Sequence, residues 1–334
     1  MAINKICIEN FTVFDKIEMD FCRGINVFIG ENGTGKTHIL KIIHAFCECR
    51  INEVKRGLPT LLVNCFSTKE LGLLMRNSLN SARFDFQIDI TTTNHATLHY
   101  NYDLNNRKNS IMETRGDSLV KEIIPAIFIP AKEMLTHSGV EKDYMQRNLP
   151  FDITLIDILY KTGVSTLRNL PDEMKTILDR IAQIIGGKVL YKNDRYYIEK
   201  PNGELIDFAV EAEGFKKLGL IYRLIETGYL EKGSVLIWDE PEANLNPRWI
   251  PFVVEILFEL SRRGVQIFAA THEYNLMKYF SIKKNDNGEV AFYGLHNNGN
   301  GVVCEREEDY DLLEYNAIIN ANTNLLVDEI ERVL

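Results

Sequence analysis

The 334-residue sequence lacks the features that mark several protein classes. No apolar run approaches the roughly 18 residues that span a bilayer, and residues 1–9 show neither the long apolar segment nor the cleavage site of a signal peptide. Six scattered cysteines without a secretory signal are typical of reduced thiols. Internal repeats and low-complexity linkers are also absent. We therefore expect a cytoplasmic protein with no membrane partner.

Basic residues are outnumbered by acidic ones, which gives a net charge of −9. A general nucleic-acid coat needs a basic surface, so this composition argues against one. Charge is nevertheless segregated, because residues 50–84 hold six basic and two acidic side chains, whereas residues 301–334 hold two basic and nine acidic ones. We favour solvated faces at both places, and DNA remains a candidate partner of the basic stretch.

A glycine-rich loop stands between a predicted strand and a predicted helix. Residues 25–29 form a short apolar run, and apolar residues at helical spacing follow from Ile39. The loop between them reads Gly30-Glu31-Asn32-Gly33-Thr34-Gly35-Lys36-Thr37 and matches G-x-x-x-x-G-K-[ST]. This context is the one in which the pattern binds a nucleotide, so we predict that all eight residues contact its phosphates or the associated metal.

Each residue type in this loop suits a polyphosphate. Glycines let the backbone turn its N–H groups toward an anion without Cβ clashes. The helix that begins near Gly35 directs the positive end of its dipole to the same place. Lys36 is expected to reach the β- and γ-phosphates and to take part in catalysis, and the Thr37 hydroxyl is expected to bind Mg²⁺.

Two carboxylates follow a second apolar run. Residues 235–238 predict a buried strand, and Asp239 and Glu240 stand at its carboxyl end, the edge at which α/β sheets bind ligands. We predict that Asp239 holds Mg²⁺, directly or through water, and that Glu240 polarises the attacking water. The alternative is an acidic turn, closed by Pro241, without a catalytic role.

A third apolar run, residues 267–270, ends in Thr271 and His272. If this strand lies beside the strand of Asp239, His272 can reach the γ-phosphate and either sense it or stabilise charge during its transfer. The alternative is a structural histidine at a strand end.

Together these segments resemble ATP-binding-cassette (ABC) ATPases of the SMC and OLD branch. More narrowly, they resemble the small prokaryotic AAA family ATP-binding proteins of mobile-element and anti-phage defence loci. Residues 30–37 correspond to their Walker A motif, 238–241 to Walker B, and His272 to the switch histidine. Residues 242–247 resemble the D-loop, 129–135 the region of the Q-loop, and 211–218 the divergent signature segment.

The resemblance implies an α/β fold, a P-loop NTPase of the ABC-ATPase head type. Its sheet would be mixed, with an antiparallel N-terminal subdomain and a helical lobe. We expect one ABC-type ATPase domain over residues 1–334. Within it, residues 1–139 would carry Walker A and arm strands, 140–230 the lobe with the signature-like segment, and 231–334 Walker B, the D-loop, the switch histidine and a terminal hairpin and helix.

The sequence also departs from these proteins. It has no LSGGQ-like signature, so that role falls to Glu213 and Gly214, for which an ordinary helix N-terminus is an equal alternative. No glutamine occupies the Q-loop position, where Lys132 or Glu133 is the candidate for a metal or water contact. A long heptad repeat between Lys36 and Asp239 is missing, which excludes an SMC rod. The clustered acidic motif of a Toprim nuclease is also missing after His272.

The resemblance implies an Mg²⁺-dependent ATPase in which two protomers close head to tail on two ATP molecules. Glu213, Gly214 and the D-loop residue Asn246 would complete the nucleotide site of the partner protomer. ATP-controlled homodimerisation would then serve a defence or DNA-associated complex. The alternative is an ATP-bound scaffold that restrains an effector protein, a nuclease or toxin, with little turnover. A small-molecule kinase is disfavoured, because Asp239, Glu240 and His272 fit hydrolysis better.

Two smaller groups of residues have competing interpretations. Asn10, Phe11 and Phe14 are candidates for contact with adenine, but packing within strands is favoured. His44 and Cys47 share a helix face and suggest a metal site together with nearby Cys49. We disfavour that site, because Cys49 leaves the shared face and no second ligand pair follows at zinc-finger spacing.

Periodicity predicts the remaining elements. Helices are expected within 68–79, 151–185, 213–229, 248–262, 274–281 and 317–333. Strands are expected at 84–90, 97–102, 123–129 and 266–270, with hairpins at 189–198 and 289–305.

Overall fold

The computed structural model describes residues 2–49, 57–76, 83–105, 111–115, 124–147, 149, 151–285 and 288–333. Its strands are β1 Ile3–Phe11, β2 Phe14–Asp20, β3 Ile25–Gly30, β4 Asp85–Thr92, β5 Thr97–Asp103, β6 Ile111–Arg115, β7 Ala126–Ile129, β8 Lys188–Lys192, β9 Arg195–Glu199, β10 Leu205–Asp207, β11 Val235–Asp239, β12 Gln266–Thr271, β13 Val290–Asn297 and β14 Val302–Glu307. Its helices are α1 Lys36–Glu48, α2 Leu58–Cys65, α3 Val140–Arg147, α4 Ile153–Thr162, α5 Asp172–Ile185, α6 Glu213–Glu226, α7 Ile250–Arg262, α8 Tyr274–Lys283 and α9 Ala317–Val333.

A six-stranded sheet in the order β14-β13-β3-β12-β11-β7 forms the centre of the molecule. Its strands from β13 to β7 run parallel, and β14 is antiparallel at one edge. The strand that leads into the glycine-rich loop, β3, is therefore separated by β12 from β11, the strand that ends at Asp239. All their carboxyl ends meet at one edge, which is where ligands of such sheets bind.

The apolar strands arise because helices or a second sheet cover both faces of this sheet. Alternate residues of one strand enter two different cores: Leu236 and Trp238 of β11 face α6 and α7, whereas Val235 and Ile237 face α1 and the N-terminal sheet. Neither face is left for water, so a polar–apolar alternation is not expected in these strands.

The N-terminal strands form an antiparallel five-stranded sheet in the order β2-β1-β4-β5-β6. Its strands alternate between buried and more exposed residues, as a sheet with one face in the core does. Helices α3 to α6 and the small antiparallel sheet β10-β9-β8 lie between β7 and β11 in the chain. The predicted fold class, an α/β fold with a mixed sheet, an antiparallel N-terminal sheet and a set of helices, is confirmed. The boundaries at residues 139 and 230 stay a prediction.

Most predicted elements occur within a few residues of their expected ends. The segment expected to be helical at 151–185 divides into α4 and α5, separated by residues 163–171, and the interval 51–123 differs further. The helix expected at 68–79 is wrong where the structure describes it, since only a 3₁₀ turn, Leu71–Leu74, forms there; residues 77–79 lie outside the described residues. Helix α2 and strand β6 were not predicted. Across the described ranges, no helix combines the length and apolar character needed to cross a membrane.

Candidate functional site

The glycine-rich loop leaves β3 at Gly30 and enters α1 at Lys36. Gly35 is the residue before α1 and has φ +89°, a left-handed conformation that favours glycine. A Cβ at this position would lie 2.4 Å from the ring of Phe14 and 2.7 Å from Val13. The turn between β1 and β2 therefore sits directly on the start of α1, and only glycine lets the chain pass.

Lys36 is buried beneath this loop. Its Nζ donates to the backbone oxygens of Gly30 at 2.6 Å and Glu31 at 2.9 Å, which curl the loop around the ammonium. Burial lowers the pKa of Lys36 to about 8, against the opposing effect of Asp239, Glu240, Glu242 and Glu31. A cation enclosed in this way suits an anionic ligand, which would supply the negative charge that the carbonyls supply only in part.

Thr37 and Asp239 meet although they are far apart in sequence. The Thr37 hydroxyl donates to Asp239 Oδ2 at 2.8 Å, and α1, which begins soon after β3, also packs against β12 and β11. Burial raises the pKa of Asp239, and the Thr37 bond opposes this rise. A hydroxyl and a carboxylate side by side are hard oxygen ligands of the kind that Mg²⁺ takes from proteins, so these two residues fit the ion.

Glu240 and His272 face each other across neighbouring strands. Strand β12 is parallel to β11, with Asp239 opposite Ala270, so both strand ends open on the same edge. His272 Nε2 lies 3.8 Å from Glu240 Oε1, and both side chains are more than a third exposed. Burial and then Lys36 lower the pKa of His272, while Glu240 opposes them. The adjacency of these two strands, on which the proposed role of His272 depended, is confirmed.

Glu242 was not proposed as a site residue from the sequence. Its Oε1 accepts hydrogen bonds from the Thr271 hydroxyl at 2.7 Å and from the His272 N–H at 3.1 Å, so it fixes the backbone that carries the histidine. Its Oε2 is buried and has no hydrogen-bond partner within the described part of the chain. Burial raises the pKa of Glu242. An acidic residue two positions after Glu240 was the available signal, but only the fold shows what it bonds.

The signature-like segment lies beside the D-loop of the same chain. Helix α6 begins at Glu213, and a Cβ on Gly214 would lie 3.2 Å from the backbone oxygen of Asn244. Asn246 is exposed, and its side chain accepts the N–H of Arg248 to cap a 3₁₀ turn. Glu213, Gly214 and Asn246 thus border one surface at the carboxyl edge of the sheet.

The Q-loop candidates differ in what their side chains do. The carboxylate of Glu133 accepts bonds from the N–H groups of Leu135 and Thr136 and from the Thr136 hydroxyl. It caps its own turn, so the proposed metal or water contact of Glu133 is not supported by the geometry. Lys132 lines a small, mostly apolar cavity between this segment and α6.

The remaining loop residues, 31–34, are exposed except for Thr34. Glu31, Asn32 and Gly33 are exposed, and Thr34 is buried with its hydroxyl donating to the backbone oxygen of Glu31 at 2.8 Å. Glu31 Oε1 accepts the hydroxyl of Tyr315 at 2.7 Å, which ties the loop to the segment before α9.

Asn10, Phe11 and Phe14 are almost completely buried, which accords with packing rather than contact with a base. The half-exposed residues of that turn are Thr12 and Val13, and the Thr12 hydroxyl pairs with His38 Nδ1 at 3.0 Å. Asn10, Phe11 and Phe14 flank these two residues, and the exposed face of a two-residue turn has no sequence signature that would distinguish it from its buried neighbours.

The metal site considered from the sequence takes a different form. The neighbours of His44 that could share a metal ion with it are Glu48 and Asp157, and not the two cysteines. The ammonium of Lys161 already bonds both carboxylates, at 2.9 Å from Glu48 and closer to Asp157. A cation is thus supplied by the chain itself.

The basic stretch at 50–84 is only partly described, since Arg50, Glu53, Lys55 and Arg56 lie outside the described residues. Among its other members, Arg76 donates to the backbone oxygens of Val13 and Asn300. Arg83 lies 3.6 Å from Glu9.

Solved structures with the same fold are SMC heads. The SMC head bound to the C-winged helix domain of ScpA matches with a TM-score of 0.62 and 15% identity, over 92% of this chain and 98% of that one. The SMC head domain from Thermotoga maritima gives 0.56 and 12%, over 92% and 99%. The Smc head from Pyrococcus furiosus with an extended coiled coil, bound to the C-terminal domain of ScpA, gives 0.57 and 11%, over 99% of both chains.

The curated relatives are DNA replication and repair proteins RecF. That of Natranaerobius thermophilus is 22% identical over 184 residues, which cover 54% of this chain and 45% of the relative. That of Streptococcus suis is 33% identical over 81 residues, which cover 23% and 21%. The chain spans less than half the length of these curated relatives.

Fold and relatives together define an ABC-type, SMC-like AAA ATPase domain. Within that class, the chain belongs to the family described as "AAA domain, putative AbiEii toxin, Type IV TA system", which matches residues 25–278. The matched span contains the glycine-rich loop, Asp239, Glu240 and His272.

Proposed function

We propose that this chain binds Mg²⁺–ATP at residues 30–37 and hydrolyses it. The observation that carries the proposal is the 2.8 Å bond between the Thr37 hydroxyl and Asp239 Oδ2. It joins the phosphate-binding loop to the acidic end of β11, so the two metal-binding side chains stand together beside a buried lysine. A glycine-rich loop without such a partner would bind phosphate but would lack the groups that hydrolysis requires.

The neighbouring side chains supply the remaining steps. Glu240 is exposed enough to contact a water molecule and, as a carboxylate, orients or deprotonates it for attack on the γ-phosphorus. His272 stands 3.8 Å from Glu240, in position to hold the carboxylate and contact the γ-phosphate. Lys36 exchanges its loop carbonyls for phosphate oxygens. Magnesium bound by Thr37 and Asp239 would neutralise charge on the β- and γ-phosphates.

We further propose that two protomers sandwich the nucleotides head to tail. Asn244 and Asn246 of the D-loop and Glu213 at the start of α6 are exposed on one surface, where a second chain can reach them. A nucleotide held by one protomer leaves its γ-phosphate open to water, and a second surface excludes that water and adds donors. Binding of ATP then favours the closed dimer, and hydrolysis releases it.

For the biological role, we propose that the ATP cycle serves a defence or DNA-associated complex, because the family description names a toxin and the RecF relatives act in DNA replication and repair. The second candidate is a scaffold that holds an effector in the ATP-bound state with slow turnover. DNA-stimulated hydrolysis with a steep salt dependence would favour the first. Co-purification of an effector that the Glu240→Gln variant locks in place would favour the second.

Two variants test the proposed reaction. Lys36→Ala should abolish ATP binding, because the phosphates lose the only lysine of the described loop, and equilibrium titration with a fluorescent ATP analogue measures this. Glu240→Gln should bind ATP normally and lose most of its hydrolysis, on the order of 10²-fold or more, since general-base catalysis contributes that much. Normal nucleotide affinity in Lys36→Ala would remove the assigned site, and full activity in Glu240→Gln would remove Glu240 as the base.

A further inference from the structure

Lys217 is a buried lysine that the reaction outlined above does not use. It lies in the second turn of α6, is 4% exposed, and its Nζ donates to the backbone oxygen of Glu240 at 2.8 Å. Within the described ranges, it has no carboxylate oxygen within 4.0 Å, so it forms no direct ion pair. Burying an ammonium without a direct counter-ion costs free energy. The ammonium of Lys217 makes one hydrogen bond within the described ranges, to the backbone oxygen of Glu240.

Burial lowers the pKa of Lys217 to about 8, while Glu242, Glu240, Asp239 and Glu213 favour its charged form. The ammonium therefore depends on the field of the acidic site for its charge. The Lys217 side chain extends from α6 toward the end of β11, which carries the carboxylates that we assign to metal binding and water activation.

The backbone of Glu240 needs to be held in place. Its φ is +50°, a left-handed conformation that costs a non-glycine residue of order 1–3 kcal/mol and persists only where neighbours enforce it. Its N–H donates to Ala270 O at 2.9 Å, and its carbonyl accepts from Ala243 N–H at 3.1 Å as well as from Lys217. The Lys217 bond is the one of these three that comes from α6.

The preceding residue shows that burial of a lysine does not by itself produce this contact. Lys216 is 5% exposed, nearly the same as Lys217, but its Nζ bonds Glu213 Oε1 at 2.7 Å inside its own helix. Lys216 therefore secures the first turn of α6, whereas Lys217 reaches out of the helix to another segment.

We propose that Lys217 is a positioning residue that couples α6 to the water-activating carboxylate by holding the Glu240 peptide. This inference rests on the proposed function. The first two turns of α6 meet the segment that follows β11 at two points, the close approach of Gly214 to Asn244 and the Lys217–Glu240 bond. A shift of α6 when a second chain engages its exposed start therefore moves the Glu240 peptide, and with it the carboxylate. Binding of a second chain at the exposed start of α6 in this way changes the position of the Glu240 carboxylate.

The test compares Lys217→Met and Lys217→Arg with the unchanged protein and with a control, Lys200→Met. The Nζ of Lys200 also donates to a backbone oxygen, that of Ile185 at 3.1 Å, but outside the nucleotide site. For each we would measure affinity for a fluorescent ATP analogue, kcat and KM of ATP hydrolysis, and the melting temperature. Lys217→Met should keep nucleotide affinity within about twofold and lose roughly 10- to 100-fold in kcat, the scale of a displaced catalytic group. Lys217→Arg, which keeps a cationic donor, should recover part of that loss, and Lys200→Met should stay near the unchanged kcat.

Several outcomes overturn the proposal. A kcat for Lys217→Met equal to that of the unchanged protein would do so, as would an equal fall in Lys200→Met. A loss confined to nucleotide affinity would also contradict a role through Glu240. If Lys217→Met does not fold, Lys217→Gln, an uncharged donor, is judged by the same comparison. Absence of hydrolysis by the unchanged protein would instead overturn the proposed function, and this inference with it.

Discussion

At the scale of single residues, two constraints restrict position 35 to glycine. Its φ of +89° requires a left-handed backbone, and its missing Cβ makes room for the buried ring of Phe14. Gly33 has a similar φ, +82°, but a Cβ there would meet nothing within 4 Å. The pair therefore separates the effect of backbone strain from the effect of steric overlap.

We predict that Gly35→Ala lowers the free energy of unfolding by at least about 2 kcal/mol, since strain and overpacking both apply. Gly33→Ala should cost about 1 kcal/mol, from strain alone. Urea unfolding followed by circular dichroism measures both. Equal losses in the two variants would show that the contact of Phe14 with the loop does not constrain the fold.

Sequence patterns found residues whose chemistry depends on local order, and missed those whose role depends on a distant partner. Lys36, Thr37 and Asp239 could be proposed because motif and strand end are contiguous stretches. Glu242 and Lys217 could not, because their partners, Thr271 and the Glu240 carbonyl, lie on segments that only the fold brings close. The site residues themselves stay predictions until they are tested by mutation.

At the scale of secondary-structure elements, α1 is tied to α4 by buried charges. Lys41 lies 2.8 Å from Asp152, whose carboxylate also caps the start of α4. Near the other end of both helices, Lys161 bonds Glu48 and Asp157 as well as the backbone oxygen of Ala126 in β7. The helix that begins at the glycine-rich loop is in this way fixed to the helices that follow β7.

We predict that Lys161→Met lowers the free energy of unfolding by about 3–5 kcal/mol, because it removes a buried cation that bonds Asp157 and Glu48. Lys175→Met is the matched control, since Lys175 pairs with Asp172 on the exposed side of α5. It should change the urea midpoint little. A comparable loss in both variants would contradict the role given to the buried pair.

The same lysine predicts a pH effect. Burial alone would lower the pKa of Lys161, but Asp157 and Glu48 outweigh it and raise the pKa to about 12. The ordinary value for lysine is about 10.4, so the stabilisation is complete below that pH and is lost as the pH rises through about 12. The stability difference between the unchanged protein and Lys161→Met should therefore shrink above pH 10. A constant difference up to pH 12 would contradict this.

The secondary structure could be predicted from the sequence where the apolar periodicity was clear. The prediction failed in segments that were short or that lay within the interval 51–123. The strongly amphipathic α5 and the apolar β11 and β12 stood out. The short α2 did not. Its buried residues, Leu58, Leu61, Leu62 and Cys65, follow helical spacing, but a segment of eight residues has the length of a strand rather than of a typical helix. The interval 68–79 had helical spacing, but its described part, residues 68–76, contains a 3₁₀ turn and a bridge between Met75 and Phe11.

At the scale of the whole molecule, the proposed closure on ATP predicts a change of oligomeric state. Glu240→Gln with Mg²⁺–ATP should sediment as a dimer, because the nucleotide stays intact between the protomers. Lys36→Ala should stay monomeric under the same conditions, and so should Glu240→Gln without nucleotide. Analytical ultracentrifugation distinguishes these species. A monomer in all three samples would refute ATP-dependent dimerisation while leaving the proposed nucleotide site intact.

The position of β12 has a mechanical consequence. Strands β3 and β11 hydrogen-bond to opposite sides of β12. The strand that leads into the glycine-rich loop and the strand that ends at Asp239 are therefore both fixed to β12. Their spacing cannot change without breaking that ladder. Rearrangement during an ATP cycle must therefore occur at the carboxyl edge of the sheet. The parts that can move there are side chains, the strained residue after β11 and the flanking helices, while the central strands stay rigid.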